Sequence, residues 1–313
     1  MSTIPGKIVR FYTPGAPDVL KMEDMELGPP KAGEVQVEHK AIGLNFIEVY
    51  WRTGVYPQPL PCCPGSEGAG IVRAVGEGVT DLKVGDRVAY GSGPVGSYAT
   101  VRNMPAHPLV KIPDSIDFET AAAMMLKGFT AQYLLRRVYK VQAGETILFH
   151  AAAGGVGSIV TQWAKSLGVR VIGTVSTREK AELARANGCA EVIITSEENI
   201  VDRVKELTDG KGVPVVYDSV GKATFLDSLN CLKPRGMMVS FGNASGKVDP
   251  VPLQWLAERG SLVLTRPTVA SFTVDKAEML ESAAEMFGVV ASGAVKIQIN
   301  QRFALADVVK AHT

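Results

Sequence analysis

Cysteine is scarce. Four residues in 313, Cys62, Cys63, Cys189 and Cys231, make no disulfide scaffold and show none of the paired C-x-x-C spacings of a structural zinc site. Reduced thiols are therefore the expectation. A surplus of either charge is also missing: 33 basic residues face 32 acidic ones without a run of one sign, so nothing suggests a nucleic-acid partner or an anionic membrane surface. Long apolar runs are absent as well. No stretch approaches the roughly 18 to 20 residues of a membrane span, and MSTIPGKIVRFY has no apolar leader core, so a cytoplasmic location is expected.

What is present is ample apolar material, 46% of the chain, enough for one large or two ordinary domains. Up to about residue 115 the text consists of short β-type runs, EVQVEHKAIGL, GAGIVRAVG and DRVAYG, broken by Gly and Pro clusters such as TGVYPQPLPCCPG. From Phe118 helical spacing takes over in DFETAAAMMLKGFTAQYLLRRV, and an alternation of strands and helices follows. The strands are TILFHA, VRVIGTV, EVII, VPVVYD, MMVSFG and SLVLT, with helices predicted at 155–167, 178–187, 200–207 and 223–232. Strands separated by helices imply right-handed crossovers and a doubly wound parallel sheet. The alternation stops near Arg266, and DKAEMLESAAEMFGVVASGAV reads as one more amphipathic helix before the chain returns to the first domain. The expected division is 1–125 with 267–313, mainly β, and 126–266, α/β.

Between the first α/β strand and its helix lies AAAGGVGS, in the order Ala152-x-Gly154-x-x-Gly157, with alanine at the first glycine position. Small residues there let the backbone approach a pyrophosphate, which the amides and dipole of the next helix would hold. Gly154, Gly155, Val156 and Gly157 are thus candidate dinucleotide contacts. About 20 residues on, where NAD-preferring sites carry an acid, the second strand ends in STREK. Ser176, Thr177, Arg178 and Lys180 would welcome a 2′-phosphate, which favours NADPH over NADH. Ser219, Phe241, Gly242 and Arg266 stand at the carboxyl ends of later strands, where an open α/β sheet holds its ligand.

These residues resemble a family. GETILFHAAAGGVGSIVTQWAK (144–165) matches throughout the signature of the quinone oxidoreductase, or ζ-crystallin, branch of the medium-chain dehydrogenase/reductases. AIGLNFIEVYWRTGVYP, VGEGVTDLKVGDRVAY, MLKGFTAQYLL, YDSVG and MVSFGNASG look like the same branch, so the likeness runs along nearly the whole chain. It implies a Rossmann NADPH-binding domain at 126–266 and a discontinuous GroES-like catalytic domain at 1–125 and 267–313, usually in a homodimer joined through Rossmann-domain edges. It also implies quinone reduction. By the same resemblance, Asn45 and Tyr50, with Tyr56 close by, line the nicotinamide and substrate side; Thr130 lies near the nicotinamide or phosphate; Ser176 and Lys180 take the 2′-phosphate. Two departures stand out. Thr195 replaces a ring that relatives place beside the adenosine phosphate. The sequence also ends at VVKAHT where the family continues through a final strand, so part of the catalytic domain and a late cofactor contact are expected beyond Thr313.

Zinc-dependent members of the superfamily carry a Cys near residue 45, a His-Glu pair and a four-cysteine lobe. Here those places read Asn45, Ser66-Glu67 and no lobe, which predicts a metal-free site. Cys62 and Cys63 are adjacent, so in an extended segment their side chains diverge rather than chelate together. Glu67 is expected to brace the site through hydrogen bonds. A quinone needs no Lewis acid, because hydrogen-bond donors can hold the oxyanion that reduction creates. Asn45 and Arg266 would be such donors, while Tyr50 and Tyr56, with a phenolic pKa of about 10, would position the acceptor. The reading is an NADPH:quinone oxidoreductase. Alternatives are an NADPH-dependent alkenal or enone reductase, and a non-catalytic NADPH-binding protein like the lens crystallins or RNA-binding relatives; RNA rests on family analogy alone.

Overall fold

The computed structural model describes residues 3–313, which fall into two compact units. Residues 3–129, Thr273–Phe287 and Ile297–Thr313 belong to the first; Thr130–Phe272 and Gly288–Lys296 belong to the second.

In the first unit β1 (Ile4–Arg10) and β2 (Lys21–Leu27) form an antiparallel pair. β3 (Glu34–Ile42), β4 (Gly68–Val75), β5 (Arg87–Tyr90), β6 (Val101–Pro105) and β7 (Val110–Lys111) form an antiparallel sheet in the order β6-β3-β4-β5-β7. Val35, Val37, Val72, Val88 and Tyr90 point into its core with Met104 and Leu109. Between β3 and β4 lies α1 (Phe46–Arg52), a short helix within a stretch that sequence patterning reads as irregular. It starts because the backbone N–H of Asn45 donates to the carboxylate of Glu48, three residues on, satisfying an orphan donor at the helix start. α2 (Phe118–Tyr133) carries the chain into the second unit and runs on through a π-helical turn at Leu134–Val138.

The second unit is built on six parallel strands: β8 (Thr146–Phe149), β9 (Arg170–Val175), β10 (Glu191–Ile194), β11 (Val213–Asp218), β12 (Leu232–Ser240) and β13 (Val263–Thr265). Their order, β10-β9-β8-β11-β12-β13, is the 3-2-1-4-5-6 arrangement of a Rossmann sheet, with its switch point beside β8. The crossovers carry α3 (Gly155–Ser166), α4 (Arg178–Ala186), α5 (Ile200–Leu207), α6 (Phe225–Asn230) and α7 (Leu253–Glu258). β11 is buried at every position, as expected of a strand covered on both faces. Leu148, Ile172, Ile193 and Val216 pack with Val204, Phe225 and Leu229 from α5 and α6. Side chains start two helices: Thr177 Oγ1 accepts from Lys180 N at 3.3 Å and Asn199 Oδ1 from Asp202 N at 3.0 Å. The chain ends with α8 (Val269–Phe272), α9 (Lys276–Ala291) and α10 (Val308–Ala311).

Candidate functional site

In the second unit the candidate residues gather at the carboxyl ends of the parallel strands. β8 leads into a turn in which Ala151 takes a left-handed conformation, φ 54°, and Gly154 is the extended residue immediately before α3. Gly157 fits because it has no side chain: a Cβ there would lie 2.4 Å from the carbonyl oxygen of Ala151 and 2.7 Å from the carbonyl carbon of Ala152. Alanine at position 152 is accommodated because its methyl faces Gly173 on β9, where a Cβ would approach it to 2.6 Å. Gly154 and Gly155 are exposed and Val156 half-buried, so the start of a twelve-residue helix is presented with its amides available to an anion.

At the end of β9 the Lys180 ammonium donates to the Ser176 hydroxyl at 3.1 Å, and both are exposed. Arg178 is differently placed. Its guanidinium makes a two-pronged pair with Glu197, 2.8 and 3.1 Å, and is already committed. Thr195 Oγ1 donates to Val175 O at 3.2 Å, and Ser196 Oγ to Ser176 O at the same distance, so hydroxyls rather than a ring flank this strand end. Phe241 N donates to Asp218 O at 2.8 Å and Ala244 N to Ser219 O at 3.2 Å, which ties the loops after β11 and β12 together; Gly242 lies against Ser219. Arg266 donates to Ser240 O at 3.0 Å from the end of β13. Thr130 is buried and hydrogen-bonds Tyr133, which stacks on Phe272 with ring centroids 4.6 Å apart.

In the first unit Asn45, Tyr50 and Tyr56 come together around α1. Tyr56 N donates to Tyr50 O at 3.1 Å and the two rings stand 5.0 Å apart, with Phe46 edge-on to Tyr50 at 5.1 Å. Asn45 is buried, and its amide nitrogen donates to Glu67 Oε1 at 2.8 Å. Glu67 is fully buried and also accepts from Leu126 N and Lys127 Nζ, each at 2.8 Å. Glu48, one turn into α1, accepts from Ser66 N at 3.1 Å and Ser66 Oγ at 2.5 Å. Burial pushes the Glu48 carboxyl up to about 8 against these donors, and the nearby Glu67 adds to the rise.

The donor set does not suit a zinc ion. Asn45 offers an amide already spent on Glu67, Ser66 offers a hydroxyl spent on Glu48, and the Glu67 carboxylate is neutralised by an ammonium. Nor are the cysteines reactive: burial raises the Cys62 thiol and pushes Cys63 up to about 12, leaving little thiolate at neutral pH.

Four residues that shape these sites escape the sequence reading: Glu48, Lys127, His150 and Asp218. Asn45-x-x-Glu48 is a legible capping-box signature. A histidine closing the apolar strand TILF and an aspartate closing VPVVY mark buried polar positions at strand ends. Lys127 has no comparable local mark.

Residues 31–114 match the alcohol dehydrogenase GroES-like domain and residues 155–288 the zinc-binding dehydrogenase family. The chain is 56% identical over 308 residues to a quinone oxidoreductase of Pseudomonas aeruginosa, covering 98% of this chain and 95% of that one. It is similar to the crystal structure of Escherichia coli quinone oxidoreductase complexed with NADPH, with TM-score 0.95, 47% identity and coverage of 98% and 95%. A 2-haloacrylate reductase of a Burkholderia species is 44% identical over 310 residues, covering 96% of this chain and 93% of that one. With a GroES-like part, a 3-2-1-4-5-6 parallel sheet and these identities, the chain belongs to the quinone oxidoreductase branch of the medium-chain dehydrogenase/reductase superfamily.

Proposed function

We propose that this chain is an NADPH-dependent quinone oxidoreductase that works without a metal ion. The observation that carries the reading is one Rossmann sheet holding both the Ala152–Gly157 turn and the Ser176–Lys180 anchor at its strand ends. NADPH, when bound, supplies the hydride or electrons. The amides at Gly155, Val156 and Gly157 hold a pyrophosphate, Gly154, whose own N–H donates to Ala151 O at 2.8 Å, lets the backbone come close to it, and Ser176 with Lys180 holds the 2′-phosphate. Arg178 contributes only when Glu197 releases it. Thr130, Ser219, Phe241, Gly242 and Arg266 flank the cofactor. Tyr50 and Tyr56 form an aromatic wall for a flat acceptor, and Asn45, its amide fixed by Glu67, orients the reacting end. A two-electron reduction leaves a phenolate stabilised by its own ring, so hydrogen-bond donors suffice where alcohol oxidation needs a proton acceptor.

Steady-state oxidation of NADPH and NADH over a panel of quinones and 2-alkenals, with and without chelator, tests this reading. Expected are preference for NADPH, turnover with naphthoquinones, and indifference to chelator. Preference for NADH, or loss of activity with chelator, would overturn the corresponding part. Reduction of an activated double bond is the second reading, favoured by the 2-haloacrylate reductase relative; turnover with 2-alkenals and none with quinones would select it. A cytoplasmic homodimer completes the proposal. It is supported by four free thiols, three of them buried, which suit a reducing compartment, and by β13, an edge strand with Val263 exposed and open to pairing with a second copy. Sedimentation at micromolar concentration tests the dimer.

A further inference from the structure

Beneath the strand ends of the second unit runs a chain of buried polar side chains with no cation in it. His150, immediately after β8, has no exposed surface; neither have Asp218, the last residue of β11, or Ser228 on α6, and Thr174 near the end of β9 is almost as deep. His150 Nδ1 lies 3.0 Å from Thr174 Oγ1, and Nε2 lies 2.9 Å from Ser228 Oγ. Ser228 Oγ and Thr224 Oγ1 both donate to Asp218 Oδ2 at 2.7 Å, while Val220 N and Gly221 N donate to Oδ1 at 2.8 and 2.9 Å.

The direction of every bond follows from the acid at one end. A carboxylate only accepts, so Ser228 spends its hydroxyl hydrogen on Asp218 and must accept from His150. The imidazole therefore carries its hydrogen on Nε2. Being buried, it stays neutral, and Nδ1 accepts from the Thr174 hydroxyl. The chain reads Thr174 to His150 to Ser228 to Asp218, each step donating to the next. It crosses β9, β8 and β11 in turn, the three adjacent strands whose ends carry Ser176, the Ala152–Gly157 turn and Ser219–Gly221.

We propose that His150 is a positioning residue for the cofactor: through Thr174 and Ser228 it locks the 2′-phosphate anchor after β9 to the Asp218 loop, and so sets the preference for NADPH over NADH. This rests on the NADPH-binding reading above. Local packing alone would be satisfied by an apolar residue between β9 and α6. A directed chain ending on a carboxylate that also fixes two loop amides imposes one register on the three loops at once.

The two arms can be cut separately with changes that remove a hydroxyl alone, Thr174→Val and Ser228→Ala, and both together with His150→Phe. Dissociation constants for NADPH and NADH, measured by quenching of protein fluorescence, are compared with thermal melts of the same proteins. Thr174→Val is expected to weaken NADPH about tenfold, the usual consequence of orphaning one buried partner, and to weaken NADH much less. Ser228→Ala cuts the same chain at its other arm and should shift the NADPH-to-NADH ratio in the same direction. The double variant Thr174→Val/Ser228→Ala should be no worse than the weaker-binding single one, because a chain cut once is already slack. Single variants that lower the melting temperature while leaving the NADPH-to-NADH ratio unchanged, or whose effects on binding simply add, would reduce the network to packing and overturn the proposal. Wild-type protein that binds NADPH no better than NADH would instead overturn the reading on which it rests. His150→Phe, if it folds, should match the double variant; if it does not fold, the hydroxyl variants decide.

Discussion

Glu67 has no exposed surface, and a charged carboxylate is tolerable there only because three donors converge on it. Two are neutral amides; the third is the Lys127 ammonium, itself 22% exposed. Removing that ammonium leaves a buried charge with amides alone. Lys127→Met should cost about 1–3 kcal/mol, less than a fully buried pair because water reaches the lysine. It should also lower turnover by loosening Asn45, while NADPH affinity holds. Chemical denaturation and steady-state kinetics check both, and Lys127→Arg should restore much of each. Full stability in Lys127→Met would mean that the amides suffice. The same reasoning separates two neighbouring cations in the second unit. Among the described residues the Lys180 ammonium is held by a neutral hydroxyl, whereas Arg178 is spent on Glu197. Lys180→Ala should raise the KM for NADPH about ten- to a hundredfold, the worth of one charge-assisted hydrogen bond, without changing that for NADH. Arg178→Ala should change either by less than about threefold, since an exposed, paired charge contributes little.

An element's start can turn on a single missing side chain. A methyl at Gly157 would press against the carbonyls of Ala151 and Ala152, which are backbone and cannot swing aside, so α3 would have to lift from the end of β8. Gly157→Ala should therefore cost about 1–3 kcal/mol and abolish measurable NADPH binding, read by melting and by fluorescence titration; unaltered binding would show that the turn yields. This element was legible beforehand, because the glycine spacing is local and sits between an apolar strand and a helix. So were the parallel strands, whose unbroken apolar runs follow from burial on both faces, and the start of α4, where Thr177 caps three residues before Lys180. α1 was missed as a helix: FIEVYWR is only seven residues, five of them β-branched or aromatic, and the one local mark, Glu48 at the capping-box position, decides it. Nor were the long-range pairings. Glu67 meets Lys127 at a separation of 60 residues, Arg178 meets Glu197 at 19, and His150 meets Ser228 at 78. Spacing rules reach one turn of helix or one hairpin, so charges such as Arg178 look available until the fold shows what holds them.

Taken over the whole molecule, the buried titratable groups pull stability in opposite directions with pH. Burial holds His39 and His312 down to about 4, with Arg102 and Arg52 respectively adding to the effect, and it lowers His150 as well. The unfolded chain takes up these protons near a pH of about 6.5; the folded one does so only near 4 at His39 and His312, and below the ordinary value at His150. Their contribution is thus complete above about 6.5 and is lost as pH falls toward 4. Glu48 behaves in the opposite sense. Its folded carboxyl titrates at about 8, whereas the unfolded one does so in the usual carboxylate range. Its contribution is complete only at low pH and is lost as pH rises through that window. Below about 6.5 three histidines outweigh one carboxyl, and above it Glu48 acts alone. The melting temperature should therefore peak near pH 6.5, falling steeply on the acid side and gently up to about pH 8. Glu48→Gln, which resembles the protonated form, should steepen the acid side down to the carboxylate range and flatten the other. An alkaline decline that survives the substitution would mean that Ser66 and Asn45 already hold Glu48 ionised at neutrality, with its charge set against that of Glu67 and balanced by Lys127.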